Sequence, residues 1–79
     1  MKILVLFFGA TANTVGERRI EMSLPDGATS NTVFEQIKDK FPKLNSLKLH
    51  YSLNQTYAIG NETVRDGDEL AVFTAVSGG

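Results

Sequence analysis

At 79 residues the chain is long enough for one domain, and with no cysteine it has no disulfide, thiolate metal site or cysteine nucleophile to draw on. Eight basic residues against nine acidic ones leave a formal charge of −1, without the basic stripe of a nucleic-acid binder. The apolar run Ile3–Phe8 falls far short of the ~20 residues of a membrane span and has no cleavage site after it, so a cytoplasmic protein with no membrane partner is expected.

Lys2 to Phe8 is almost wholly β-branched, leucine and aromatic, which predicts a short strand buried on both faces and ended by Gly9. Ala10 to Val15 is long enough for one helical turn before Gly16. From Arg18 to Leu24 the alternation is clean. Ile20, Met22 and Leu24 share one side and Arg19, Glu21 and Ser23 the other, the pattern of a half-buried strand antiparallel to the first. Pro25-Asp26-Gly27 follows as a turn, because proline fixes φ and glycine accepts a positive one.

The main helix comes next. Thr29 and Thr32 are both candidate N-caps, and Thr32 with Glu35 has the spacing of a capping box. Val33, Phe34, Ile37 and Phe41 fall on one face, and Pro42 stops the helix. Leu44 to Leu49 reads as a loop. Tyr51 to Tyr57 reads as a strand interrupted by a hairpin or bulge at Asn54-Gln55. A second turn, Arg65-Asp66-Gly67-Asp68, leads into a last strand from Glu69 to Val76 that is apolar enough to be central. The acidic stretch Glu62, Asp66, Asp68 and Glu69 reads as a solvated turn, with an acidic docking patch as the alternative.

Strand, strand, helix, broken strand, strand describes an α+β domain. Two buried strands sit side by side in the middle of a mixed sheet, and one helix is packed across it. That is the β-grasp arrangement of ubiquitin. It is expected over residues 1–76, with 77–79 as a flexible diglycine tail.

Side-chain chemistry is sparse. His50 is a lone histidine with no serine or cysteine partner in view, and reads as a surface residue. The acidic stretch fails as a calcium loop, because Phe73 stands where the ligating glutamate belongs; no metal is expected. What remains is Val76-Ser77-Gly78-Gly79. Glycine is about 7% of average usage, so a final Gly-Gly arises by chance in about one chain in 200. Two glycines suit a tail that is threaded into a narrow active site, since they let the backbone approach closely at any φ. Extended, these four residues reach about 13 Å.

Several segments carry a family resemblance: Val5-Leu6-Phe7-Phe8-Gly9, Leu24-Pro25-Asp26-Gly27-Ala28-Thr29, Asn54-Gln55-Thr56, Asp66-Gly67-Asp68-Glu69-Leu70-Ala71-Val72-Phe73 and Val76-Ser77-Gly78-Gly79. Over nearly its whole length the chain resembles the small subunit of molybdopterin synthase, a ubiquitin-like sulfur carrier. The resemblance implies that a ubiquitin-activating-type adenylyltransferase uses ATP to adenylate the carboxylate of Gly79. A sulfur donor enzyme then leaves a thiocarboxylate there. It implies that Val76, Ser77 and Gly78 thread the tail into the large subunit of a heterotetramer, where sulfur passes to cyclic pyranopterin monophosphate. No permanently bound cofactor is implied, and the chain alone is expected to catalyse nothing.

Two segments depart from that family: Thr74-Ala75 stands where Pro-Pro is common, and Ala10-Thr11-Ala12-Asn13 lacks a basic residue that many members carry. Thr74 and Ala75 lie where a partner would touch. Phe7 and Phe73 are expected to join them as an apolar docking patch on the uncovered face of the sheet, the alternative being that both rings are core. Rival readings are a sulfur carrier for thiamin thiazole synthesis, a ubiquitin-like protein modifier and a bare interaction domain.

Overall fold

The computed structural model describes residues 1–74. Strand β1 (Lys2–Phe7) is followed by helix α1 (Ala10–Val15), strand β2 (Arg19–Ser23), helix α2 (Ser30–Lys40), a 3₁₀ turn (Pro42–Ser46) and strands β3 (Leu49–Leu53), β4 (Thr56–Tyr57) and β5 (Glu69–Thr74). They form a five-stranded sheet in the order β2-β1-β5-β3-β4. β1 and β5 run parallel at its centre, with Val5 opposite Leu70 and Phe7 opposite Val72. β2 flanks β1 and β3 flanks β5, each antiparallel. This is the β-grasp arrangement expected from the strand and helix order.

Period-two alternation decides the core. Ile3, Val5 and Phe7 of β1 and Leu70 and Val72 of β5 are buried, against Val33 and Ile37 of α2 and Leu44 of the 3₁₀ turn. Phe34 stacks on Tyr51 with ring centroids 4.3 Å apart, which fixes α2 against β3. Thr29 caps α2, its hydroxyl accepting from the Thr32 amide, so Thr32 is inside the helix and there is no capping box. Pro42 ends α2 by starting the 3₁₀ turn, where the sequence had suggested only loop. β3 begins at Leu49, and Asn54-Gln55 forms the expected hairpin to β4.

The turn of the acidic stretch is exposed at Arg65, Asp66 and Gly67, as a solvated turn would be, but its carboxylates also hold the loop together. Asp66 accepts from the Lys2 amide at 2.7 Å, and Asp68 accepts from the Arg65 amide and from Asn54 Nδ2. Glu62 accepts from Ser30 Oγ at 2.6 Å and from the amides of Ile59 and Gly60. The carboxylates of Glu62, Asp66 and Asp68 accept from backbone, hydroxyl and side-chain amide donors within the chain, tying the turn to β1, to the hairpin and to the start of α2.

Candidate functional site: the open face of the sheet

Helix α2 covers one face of the sheet, and among the described residues no helix crosses the other. The residues that alternate with the core therefore line it: Leu4 and Leu6 of β1, Ala71 and Phe73 of β5, His50 of β3 and Tyr57 of β4. The register places His50 opposite Phe73 and Tyr57 opposite Ser52. Phe73 is the centre of this group. His50 stacks against it at 6.1 Å between centroids, and the Tyr57 ring meets it edge-on at 5.8 Å. Tyr57 remains 74% exposed, far beyond what a core aromatic shows, so these rings form a surface.

The expected docking patch needs two corrections. Phe7 is 3% exposed and its ring meets Phe41 edge-on at 5.7 Å, beneath the end of α2. The physical reason is register: Phe7 pairs with Val72, not Phe73, so pleating sends it into the core while Phe73 points out. Thr74 is half-buried and pairs with Leu49, on the helix side of the sheet rather than beside Phe73. Ala75, Val76, Ser77, Gly78 and Gly79 lie outside the described residues.

Sequence reasoning missed His50 and Tyr57 as part of this face, although both were visible as aromatics on strands that flank Phe73. Leu4 and Leu6 were read as doubly buried, because a continuous apolar run hides which alternate positions are covered. Beside Leu6 and Phe8 the face runs into an open groove also lined by Gly9, Asn13, Arg18 and Arg19. The basic charge missing from Ala10–Asn13 thus enters the same groove from the start of β2. Phe8, at 52% exposure, adds a second aromatic edge there.

The arrangement offers no reacting side chain. Among the described residues no group of three or more His, Asp or Glu is placed to hold a metal ion. What it offers is an apolar, aromatic surface with a cationic margin, on the strand that leads in sequence to Gly78-Gly79.

Residues 5–79 match the model of the ThiS family. The chain belongs to the ThiS family. Among curated relatives, a molybdopterin synthase sulfur carrier subunit of Haemophilus influenzae is 37% identical over 79 residues, covering 95% of this chain and 96% of that protein. One of the same name from Chlamydomonas reinhardtii is 34% identical over 83 residues and the whole of both chains. Among solved structures, a putative molybdopterin converting factor subunit 1 from Pyrococcus furiosus superposes with a TM-score of 0.88 at 26% identity, over 96% of this chain and 99% of that one. A complex of subunits 1 and 2 of molybdopterin-converting factor from Helicobacter pylori matches with a TM-score of 0.73 at 22% identity, over 100% of this chain and of that one. The small archaeal modifier protein 1 of Haloferax volcanii matches at 0.85 and 21% identity, over 95% and 98%. At those two identities the likeness is one of fold. This fold therefore occurs both in proteins named as molybdopterin converting factor subunits and in one named as a modifier.

Proposed function

We propose that this ThiS-family chain is the sulfur carrier of a molybdopterin synthase, with Gly79 as the group that carries sulfur. The observation that supports it best is the aromatic face centred on Phe73. It lies on the strand from which the sequence runs on to Gly79. The relatives named as molybdopterin synthase sulfur carrier subunits align over essentially the whole chain, which favours this reading over the thiamin carrier and the modifier. The Helicobacter pylori complex supplies the precedent for a larger partner subunit.

The chemistry fits a chain without catalytic side chains. In an adenylyltransferase partner, the Gly79 carboxylate attacks the α-phosphorus of ATP and pyrophosphate leaves. A sulfide-level nucleophile from a donor enzyme then displaces AMP, giving the thiocarboxylate. In the large subunit that sulfur displaces an oxygen substituent from a carbon of the pterin precursor, and water then cleaves the acyl–sulfur bond, which leaves the sulfur on the product and returns the Gly79 carboxylate. Docking through the Phe73 face would convert the attack into an effectively intramolecular step.

Intact mass measures the first half. Incubation with the activating enzyme, ATP and sulfide is expected to add about 16 Da at the C-terminal residue, the exchange of one oxygen for sulfur. Adding the large subunit and precursor should then remove that mass and yield molybdopterin. Mass gain without transfer, or isopeptide products on lysines instead, would replace this reading with the thiamin carrier or the modifier.

A further inference from the structure

Strand β2 forms one edge of the sheet, and among the described residues no strand lies beyond it. The opposite edge, β4, is only two residues long, whereas β2 offers five. An edge of that length presents a row of backbone groups that a second strand can take up. The inner ladder decides which residues present them. The Phe7 amide donates to the Arg18 carbonyl at 2.9 Å and the Leu24 amide to that of Met1 at 2.8 Å, while the Leu4 amide turns the other way, to Asp68. Hydrogen-bonded pairs recur at every second residue of an antiparallel ladder, so Arg18, Ile20, Met22 and Leu24 turn their amides and carbonyls toward β1. Arg19, Glu21 and Ser23 turn theirs outward. The exposed side chains of Arg19 and Glu21 lie beside Leu6 and Leu4 on the open face, and the half-buried Ile20 and Met22 point to the helix side.

Charge then selects how a second copy of this chain can pair. The outward groups allow only antiparallel registers that set Arg19, Glu21 and Ser23 opposite one another. Where Arg19 faces its own counterpart, or Glu21 its own, like charges meet directly and the pairing is penalised. Centring on Met22 sets Glu21 against Ser23 and gains no ion pair. Centring on Ile20 sets Arg19 of each copy opposite Glu21 of the other. Both pairs are then of opposite sign, and each exchanges both of its N–H···O bonds. The arrangement has two-fold symmetry, so the same strand supplies both halves and the association closes at two copies. On the helix side the two Ile20 side chains meet at the axis and extend the apolar layer.

We propose that this chain forms a two-fold dimer through the β2 edge, with Arg19 and Glu21 as the reciprocal charge pair that fixes its register. Phe73 lies on β5, two strands in from that edge, so the pairing leaves the aromatic face open. The test is sedimentation equilibrium of the full chain at low salt, up to about 1 mM, since so small an interface is weak and its charge pairs are screened by salt. Wild type should pass from monomer to dimer as concentration rises. Glu21→Arg leaves arginine at both positions and Arg19→Glu leaves glutamate at both, so each variant alone should weaken the dimer by about tenfold or more. Mixing the two variants sets arginines against glutamates again and should recover association to within about threefold of wild type. In wild type, hydrogen exchange at the Arg19 and Glu21 amides should slow as the dimer forms. Monomer throughout the range, a dimer that either variant leaves intact, a mixture that stays monomeric, or protection confined to other strands would overturn the proposal.

Discussion

The rings of Phe7 and Phe73 stand on opposite faces of one sheet, although both lie near the ends of adjacent central strands. Phe7 pairs with Val72 and packs on Phe41 in the core, while Phe73 pairs with His50 on the open face beside Tyr57. Phenylalanine-to-alanine substitution at the two sites should therefore have opposite consequences. Phe7→Ala removes a buried ring and is expected to cost about 3–5 kcal/mol, a large part of the stability of a domain this small. Phe73→Ala should lower the melting temperature little and weaken the complex with the large subunit at least tenfold, as a central aromatic anchor would. Thermal unfolding and calorimetric titration read the two effects separately. Unchanged affinity in Phe73→Ala would remove the open face from the interface.

Deleting Gly79 should separate fold from function most cleanly. It stands five residues beyond Thr74, the end of β5, in the sequence. The truncated chain is expected to keep its circular dichroism and melting temperature and to gain no sulfur with the activating enzyme, ATP and sulfide. Molybdopterin formation at a comparable rate by the truncated chain would show that Gly79 does not carry the sulfur.

The fold was legible because its elements alternate or punctuate plainly. Ile20, Met22 and Leu24 set the face of β2, and Asn54-Gln55 announced a hairpin. The site was legible only in part, for a physical reason. An uninterrupted apolar strand such as Ile3–Phe8 does not reveal which of its two faces is covered, and the pairing of Phe7 with Val72 is a tertiary fact that no local pattern encodes. The acidic stretch was legible in part for a related reason. Its turn is exposed as a solvated turn would be, but the bonds its carboxylates accept from the amides of Lys2, Ile59, Gly60 and Arg65 are set by the fold.

The β3–β4 hairpin carries a local cost that one substitution should relieve. Asn54 and Gln55 both have positive φ, 50° and 70°, as a two-residue primed turn requires. Asparagine tolerates this, and Asn54 is also held by its bonds with Asp68 and Glu69. Gln55 is exposed, and among the described residues no side-chain hydrogen bond holds it. Gln55→Gly should stabilise the protein by about 0.5–1 kcal/mol, the relief of strain exceeding glycine's extra entropy in the unfolded chain. That corresponds to a rise of about 2–8 °C in melting temperature. A fall would show that the glutamine side chain contributes something the backbone geometry does not reveal.

Acid stability should depend on Glu62. The Ser30 hydroxyl first, then the amide of Ile59, hold its carboxylate in the charged form and lower its pKa from 4.5 to about 2. The same loop meets the start of α2, where the Ser30 amide donates to the Glu62 carbonyl at 2.8 Å and the Asn31 amide to that of Gly60 at 3.0 Å. A negative charge beside that helix N-terminus is favourable as well. The sign follows from the direction of the shift. The folded state binds the proton less readily than the unfolded chain, so the contribution is complete above pH 4.5 and is lost as the pH falls toward 2. Glu62→Gln keeps the shape and removes the titration. The variant should be less stable than wild type at pH 7, and the difference should shrink steadily below pH 4.5, approaching its minimum near pH 2. Urea unfolding at several pH values measures it, and a gap that stays constant from pH 7 to pH 2 would mean that the Glu62 charge plays no part in holding the loop.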